Sequence, residues 1–228
     1  NGSRAGNCMF IGHFAVGFGA KRVAPAISLG TLILACQLAD LIWPTLVLAG
    51  VEHVSIAPGD TVVTPLRFDS YPYSHSLLAL SVWAAIVALL YRTFRASTGR
   101  ALIVLAVVVL SHWLLDVITH RPDIPSTPAS DARLGLNLWG SRAATMVIEG
   151  AMLAIGVWMY VSTTRAKDRT GTIALWGLVA FLAVTYVANL FGPVPPSAMA
   201  VAATAEAIWL LVFWGYWIDR HRELRVRT

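Results

Sequence analysis

Apolar runs of about twenty residues recur along almost the whole chain, with only short polar joints between them. A helix needs about 20 residues to cross the roughly 30 Å hydrocarbon layer of a bilayer, so each run is long enough to span it. The chain is 57% hydrophobic and 13% charged, a balance that is rare among soluble domains. The sequence therefore predicts an all-α fold, a polytopic transmembrane helical bundle with six full spans and a short N-terminal helix.

The short N-terminal helix is predicted over residues 10–20, and the six full spans follow it. Their predicted bounds are residues 27–50, 77–91, 101–119, 143–162, 172–191 and 197–218. Pro44 is expected to kink the first of these spans, because proline lacks the amide hydrogen that a helix uses.

The predicted helices form a single transmembrane domain, residues 9–228. Its polar candidates are concentrated in a site region, residues 9–158, and the C-terminal spans follow at residues 172–218. Residues 1–8 carry no hydrophobic pattern, and we interpret them as an upstream extension or a cloning remnant.

The basic residues indicate how the bundle is oriented, because the cytoplasmic joints of membrane proteins carry an excess of Lys and Arg. With the joint at residues 92–100 placed in the cytoplasm, twelve of the 17 Lys and Arg residues fall on that side. The twelve are Lys21, Arg22, Arg92, Arg95, Arg100, Arg165, Lys167, Arg169, Arg220, Arg222, Arg225 and Arg227; the other five are Arg4, Arg67, Arg121, Arg133 and Arg142. The sequence thus predicts a multi-pass protein of the bacterial cytoplasmic (inner) membrane with its C-terminus in the cytoplasm.

The same basic residues bear on the partners of the chain. They form short clusters between apolar runs rather than one patch interleaved with aromatic residues, so nucleic acid is not an expected partner. Membrane lipids are expected partners, and the tryptophan-rich last span offers a surface for membrane proteins. Cys8 and Cys36 are too few for a disulfide framework or a thiolate metal site, and Glu206 is expected to be a buried hydrogen-bonding group.

The strongest polar pattern is the stretch at residues 111–123, which closes an otherwise apolar span. Within it His112, Asp116 and His120 stand four residues apart, so a continuing helix places them on one face. An ionisable side chain inside a bilayer is costly unless it is paired, hydrated or bound to a metal. This stripe therefore indicates a functional site.

Five side chains are predicted at one depth near the outer face. His13 precedes a cytoplasmic turn, Asp40 lies in the outer half of its span, and His75 begins an inward span. His112 and Asp116 end an outward span. Helical bundles hold metals with ligands from several helices at one level, and imidazole with carboxylate but no thiolate suits Zn²⁺, Mn²⁺ or Fe²⁺. We predict a divalent transition metal here, zinc before manganese or iron.

Other polar residues near the outer face are candidates for roles around such a metal. Glu149 lies about two turns from the outer end of its span and is a candidate support for the ligands or a catalytic base. Arg121 and Arg142 are candidates for clamping an anionic head group such as phosphate. His120 and Asp123 stand where the helix gives way to a long outer loop, and they are additional candidates.

These motifs resemble those of a family, the YdjM-like group of bacterial and archaeal membrane-bound proteins predicted to be metal-dependent hydrolases. The resemblance covers roughly residues 9–158. It rests on Gly12-His13, on Asp40 followed by Pro44, on His75-Ser76 and on Ser111-His112-x-x-x-Asp116. It implies a helical membrane enzyme whose metal ligands are His13, Asp40, His75, His112 and Asp116.

The chain departs from the family pattern at two places. Relatives often carry a second aspartate and a histidine just after the first aspartate, where this chain has Ile42-Trp43. They also carry a His-Arg pair ahead of the His-Ser, where this chain has Ser70-Tyr71. The alternatives to a two-metal site are a single ion, or a different ligand such as Asp69 or His120.

The leading interpretation is a membrane-embedded metal-dependent hydrolase with its site near the extracytoplasmic face, acting on a lipid phosphoester or a similar amphiphile. In this interpretation metal-bound water is the nucleophile and Glu149 or Asp69 is the base. Arg121 neutralises the negative charge of the substrate, and the Pro-rich loop at residues 121–142 is a lid. A metal or proton permease is one alternative, although the inner halves of the spans hold few ionisable groups. A non-catalytic subunit of a larger membrane complex is the other.

Overall fold

The computed structural model describes residues 11–95 and 98–225. The predicted extension at residues 1–8, with Arg4 and Cys8, lies outside the described residues, as do residues 9–10 and Arg227. The described helices are α1 (Ile11–Val23), α2 (Leu29–Cys36), α3 (Leu38–Leu48), α4 (Pro72–His75), α5 (Leu77–Phe94), α6 (Gly99–Thr119), α7 (Arg142–Thr163), α8 (Arg169–Phe191), α9 (Ala198–Ala205) and α10 (Ile208–Arg220). They form a helical bundle, as the sequence predicts.

Five segments of the described chain are long and apolar enough to cross a membrane, namely α5, α6, α7, α8 and the pair α9 and α10 taken together. The chain is therefore a multi-pass membrane protein. The span predicted over residues 27–50 is not one straight helix, because α2 and α3 meet at an angle of 56°. Five spans and one bent pair thus stand where the sequence predicted six full spans.

The bend between α2 and α3 lies at Gln37 and not at the proline that was expected to kink this segment. Pro44 lies inside α3, which continues through it. At the bend, the carbonyl oxygen of Cys36 accepts a hydrogen bond from Nδ1 of His112, 2.9 Å away. The last carbonyls of a helix have no partner within the helix, so this contact with α6 satisfies one of them and stabilises the bend.

Helix α1 lies in the middle of the bundle, packed against α2, α6 and α7. Nearly all of its residues from Ile11 to Lys21 are buried. A Cβ atom at Gly156 of α7 would lie only 2.3 Å from the carbonyl oxygen of Ala15, so glycine is what allows α7 to approach α1 so closely. The short N-terminal helix predicted from the sequence is therefore the centre of the fold.

Three antiparallel strand pairs join the helices of the described chain. Strand β1 (His53–Ile56) pairs with β2 (Leu66–Ser70), β3 (Ile124–Pro125) with β4 (Arg133–Leu134), and β5 (Thr164–Ala166) with β6 (Arg222–Leu224). The first two pairs belong to the loops that follow α3 and α6. The third joins the loop between α7 and α8 to the chain after α10, at the opposite end of the bundle.

The two ends of the bundle differ in character. At one end, Arg22 of α1, Arg100 of α6 and Arg225 line one cavity together with the last residues of α7. We call this the basic end, and it agrees with the predicted grouping of these three basic residues on one side. At the other end, residues of α1, α3, α4 and α6 surround a second cavity, and we call this the site end.

Candidate metal centre

All five predicted metal ligands come together at the site end. Nε2 of His13 lies 3.2 Å from Oδ1 of Asp116, and Nε2 of His112 lies 3.3 Å from Oδ2 of Asp116. Nε2 of His75 lies 3.5 Å from Oδ1 of Asp40 and 3.8 Å from Oδ2 of Asp116. Nε2 of His112 is also 3.8 Å from Oδ1 of Asp40. These contacts join three imidazoles and two carboxylates in one group, which we call the five-residue cluster.

Four helices supply the cluster, and local sequence explains the position of each side chain. On α6, His112 and Asp116 are one turn apart, so both face the same neighbours. His13 of α1 stacks on His112, with ring centroids 3.7 Å apart and planes 2° apart. Asp40 lies in the first turn of α3, just after the bend, and His75 is the last residue of α4.

The hydrogen bond of His112 to the bend determines which of its nitrogens is free for a ligand. A carbonyl oxygen only accepts, so Nδ1 of His112 carries the proton that is donated to Cys36. In the neutral ring the lone pair is then on Nε2, which faces Asp40 and Asp116. Metal-binding histidines are commonly oriented in this way, with the other nitrogen donating to a carbonyl or a carboxylate.

Glu52 orients His75 in the same way through Ser74, and neither residue was among the predicted candidates. Oε1 of Glu52 accepts the backbone amides of Tyr73 and Ser74 at 2.8 and 2.9 Å, and Oε2 accepts the Ser74 hydroxyl at 2.6 Å. Because the hydroxyl donates its one hydrogen to Glu52, it accepts from Nδ1 of His75, 2.7 Å away. The lone pair of His75 is therefore on Nε2, which faces the five-residue cluster.

Two local features position this hydrogen-bond relay from Glu52 through Ser74 to His75. Glu52, just before β1, and Val54 are buried, while His53 between them is exposed. The hydroxyl of Ser76 caps α5 by accepting an amide of its first turn, which leaves Ser74 available for His75. No local signal links Glu52 to Ser74, since the two are far apart in the chain.

The donor set and its spacing fit a transition-metal ion. Four atoms about 2.1 Å from an ion at tetrahedral angles stand about 3.4 Å apart. The contacts within the cluster range from 3.2 to 3.8 Å. Nε2 of His112 and Oδ2 of Asp116 are buried and make no hydrogen bond with any described residue. Buried polar atoms without partners are costly, so this arrangement favours a bound cation.

The cavity beside the cluster is small. Its volume is about 30 Å³, which admits a water molecule but not an organic substrate. Its walls include the aromatic side chains of Trp43, Phe68 and Trp139 together with His120. The cluster is therefore enclosed, with room for an ion and a water-sized ligand.

A second polar network lies next to the cavity, where α6 ends. Nδ1 of His120 is 3.1 Å from Oδ1 of Asp123, which also accepts the hydroxyl of Tyr71 at 2.9 Å. Arg121 donates to Asp123 at 3.1 Å and to Asp60 at 2.7 Å. Burial alone would raise the pKa of Asp123, but the hydrogen bonds from His120, Tyr71 and Arg121 hold it below the usual carboxyl range. Asp123 is therefore ionised and orients His120.

The loop after α6 folds back over the cavity. Trp139 lies against His120, with ring centroids 4.3 Å apart. The backbone amides of Leu136 and Asn137 donate to the carbonyls of Val117 and His120, both at 2.7 Å. Asn137 adopts a left-handed conformation with φ of 57°, which asparagine accepts more readily than most residues. The loop that the sequence marked as a lid thus covers the cavity in this structure.

Two glutamates that the sequence singled out lie away from the cluster. Glu149 is buried, and its carboxylate adjoins the side chains of Trp139 and Tyr186 rather than the predicted ligands. The side chain of Trp139 stands between Glu149 and the cavity, and this position argues against a direct role of Glu149 as base. Glu206 was expected to be buried; it is half-buried and accepts a hydrogen bond from Thr45 at 2.7 Å.

Asp69 and Arg142 are also outside the cavity. Asp69 is exposed, and it follows Phe68, which lines the cavity. Successive side chains of a strand point to opposite faces, so the carboxylate of Asp69 faces away, and we drop its candidate roles as base and ligand. Arg142 donates to the carbonyl of Val62 at 2.6 Å and its guanidinium lies over the ring of Phe191. Of the two predicted clamps, Arg121 is the nearer to the cavity residue His120.

No family model, curated protein or solved structure matches this chain. The resemblance to the YdjM-like group stays a prediction from the motifs at His13, Asp40, His75 and His112. The function is accordingly argued below from the chemistry of the five-residue cluster and its surroundings.

Proposed function

We propose that this protein is a metal-dependent hydrolase of the bacterial cytoplasmic membrane, with its site near the extracytoplasmic face. The observation that carries the proposal is the five-residue cluster, in which His75 and His112 present lone pairs towards two carboxylates. Among the described residues, only histidines form ion pairs with Asp40 and Asp116. A divalent cation would balance the buried carboxylate of Asp116 and the partly buried carboxylate of Asp40, and the ligand set favours zinc, then manganese or iron.

A bound zinc ion would supply an activated nucleophile by lowering the pKa of its water towards neutrality. Of the described cavity residues that are not proposed as metal ligands, His120 is positioned to move a proton. Its Nδ1 is held by ionised Asp123, so the lone pair of the neutral ring is on Nε2, and the ring lines the cavity. This His-Asp pair takes the place of Glu149 and Asp69, the bases that the sequence suggested.

The proposed substrate is a lipid phosphoester or a similar amphiphile. Arg121 stands beside His120 and would offset the charge of an anionic head group. The aromatic walls formed by Trp43, Phe68 and Trp139 suit the apolar part of an amphiphile. Because the cavity holds only about 30 Å³, substrate entry requires the loop that carries Trp139 to move.

Metal content tests the proposal directly. Protein purified without chelator is expected to carry about one equivalent of a transition metal, since the cluster offers too few ligands for a saturated pair of ions. His112→Ala is expected to lose this metal, whereas His53→Ala, which changes an exposed histidine at the same end, is expected to keep it. Elemental analysis of folded preparations gives the result, and metal-free wild type with unchanged stability in chelator would contradict the proposal.

Activity is tested with His120→Gln, which keeps the metal ligands intact. The variant is expected to hold as much metal as wild type but to hydrolyse amphiphilic phosphoesters at least about 100-fold more slowly, the usual contribution of a positioned acid or base. Metal-loaded wild type that hydrolyses none of a panel of such phosphoesters would instead favour the non-catalytic subunit.

The proposed orientation places the basic end in the cytoplasm and the site end outside. Cysteine introduced at Ser130, in the loop over the cavity, is expected to react with impermeant reagents in intact cells, and cysteine at Arg95 is not. A background with Cys8→Ser removes the competing native thiol outside the buried Cys36. The opposite labelling would place the cluster on the cytoplasmic side.

A further inference from the structure

The basic end contains a cavity with a volume of about 400 Å³. It lies where the C-terminal ends of α1 and α7 meet the N-terminal end of α6 and the residues after β6. Its walls include three arginines, two hydroxyl side chains and one exposed valine, namely Arg22, Arg100, Arg225, Ser162, Thr163 and Val23. Three elements that are distant in the chain thus each bring a guanidinium to one cavity.

The positive charge of this cavity is not neutralised by the described residues. None of the described ion pairs involves Arg22, Arg100 or Arg225, and no described residue that lines the cavity is acidic. Arg22 lies over the ring of Trp158, and Arg225 donates to backbone carbonyls. Other basic residues at this end differ, because Lys21 pairs with Asp219 and Arg165 with Glu223. The cavity therefore concentrates positive charge that no described residue pairs with.

An apolar groove continues from this cavity into the membrane-spanning part. It has a volume of about 570 Å³, lies between α1, α6 and α7, and shares Val23 with the basic cavity. Along α1 it extends from Val23 to Ala15, about 12 Å at 1.5 Å per residue. Gly19 lines it and leaves it open, while Ile103 and Ile155, 66% and 57% exposed, stand on its other walls.

We propose that the basic cavity and the apolar groove form one binding site for an anionic phospholipid. The arginines and the hydroxyls of Ser162 and Thr163 would bind the phosphate, which guanidinium groups match with paired hydrogen bonds. One acyl chain would lie in the groove between α1 and α7. Basic pockets between membrane helices are suited to anionic lipid head groups. Here the basic cavity suits the head group, the apolar groove suits an acyl chain, and the two share Val23. The site lies at the opposite end from the metal centre and does not rest on the proposed function.

Native mass spectrometry of the full chain in neutral detergent tests the head-group half. Wild type is expected to bind phosphatidylglycerol at least tenfold more tightly than phosphatidylcholine with the same chains. The triple variant Arg22→Gln, Arg100→Gln, Arg225→Gln is expected to lose this preference. A matched triple variant, Arg92→Gln, Arg95→Gln, Arg165→Gln, removes the same charge outside the cavity and is expected to keep it. Equal loss in both triple variants would show general surface attraction and overturn the proposal.

Two further measurements test the groove and the source of the phosphate. Gly19→Leu is expected to weaken phosphatidylglycerol binding about tenfold, because the new side chain occupies the groove, while a Cβ at this position meets only the flexible end of Met159. The melting temperature and the size-exclusion profile of Gly19→Leu report whether it folds, and Ile103→Trp at the exposed groove wall is the second variant. Inorganic phosphate at millimolar concentration is expected not to displace the lipid, because phosphate alone makes no contact with the groove. Displacement by phosphate would overturn the proposed acyl-chain contact. Undiminished lipid binding in both folded groove variants would also overturn it.

Discussion

Buried charged side chains lie at both ends of the bundle, but their hydrogen bonding differs. At the basic end, Nζ of Lys21 donates to the carbonyl of Ile27 at 2.8 Å and to Asp219 at 3.1 Å. Asp219 also accepts the hydroxyl of Tyr160 at 3.1 Å and the amide of Leu29 at the start of α2. Lys21 is thus both paired and hydrogen-bonded, and buried Arg222 nearby donates hydrogen bonds to Thr164 and to the carbonyl of Gly171. We interpret this network as structural.

At the site end, the corresponding groups remain incompletely satisfied. Nε2 of His112 and Oδ2 of Asp116 have no hydrogen bond with described residues, although they stand 3.3 Å apart. Within the described part of the chain, Asp40 and Asp116 are paired only with imidazoles, which are neutral unless protonated. The comparison shows that burial of charge alone does not identify a binding site. Convergent donors that lack partners do, because their cost is offset only when a ligand binds.

The largest effect is expected from breaking the satisfied network. Asp219→Ala leaves Lys21 buried without its partner and should lower the free energy of unfolding by about 3–5 kcal/mol, the usual cost of breaking a buried pair. Denaturant titration of the purified protein measures this change. Asp131→Ala, which removes an exposed aspartate, is the control and should change little. Metal content of the folded fraction should be unchanged, and loss of metal would show that the two ends are coupled.

Asp116→Asn at the site end is expected to weaken metal binding without lowering stability. The amide is a poor substitute for an anionic ligand, so metal affinity should fall by about tenfold or more. The metal-free variant should be as stable as wild type or more stable, because a buried charge has been removed. Metal affinity and melting temperature of one preparation separate the two effects. Retained affinity would remove Asp116 from the proposed ligands.

A smaller effect on metal affinity is expected from reversing the direction of the hydrogen bonds from His75 through Ser74 to residue 52. In Glu52→Gln the amide donates to the hydroxyl of Ser74, which must then donate to Nδ1 of His75. The proton of the ring would move to Nε2, which faces the cluster, and metal affinity should fall by roughly tenfold. Nitrogen chemical shifts of the histidine ring report the change of tautomer. Glu206→Gln, away from the cluster, is the control, and equal affinity in both variants would contradict the relay.

The smallest effect concerns the ion pairs of Asp60 with Arg67 and Arg121 at the site end. Hydrogen bonds from Arg67, together with the charge of Arg121, hold the pKa of Asp60 below the usual carboxyl range. A lowered pKa contributes stability above the unfolded value of about 3.9 and loses it as the pH falls through the folded value. Melting temperatures below about pH 4 should therefore fall slightly more for wild type than for Asp60→Asn. Parallel curves would show that these ion pairs do not stabilise the fold.

The sequence predicted the members of the five-residue cluster because the relevant signals are local. The spacing of His112 and Asp116 fixes their common face on α6, and alternation of spans across a membrane fixes the depth of Asp40 and His75. Apolar runs likewise predicted the helical membrane bundle, since hydrocarbon thickness sets the length of a span. These inferences need only the neighbouring residues and the properties of a bilayer.

The tertiary structure decided the features that depend on contacts between distant residues. The bend at Gln37 is stabilised by His112 of α6, and this contact outweighs the local signal of Pro44. Strand geometry turned Asp69 outwards, and tertiary packing brought Glu52 to Ser74. The sequence by itself determined the membrane bundle and the ligand-bearing faces, because periodicity is a local property. Packing between distant segments determined which nitrogen His112 and His75 present, because His112 donates to Cys36 of another helix and the proton of Ser74 beside His75 is directed by Glu52.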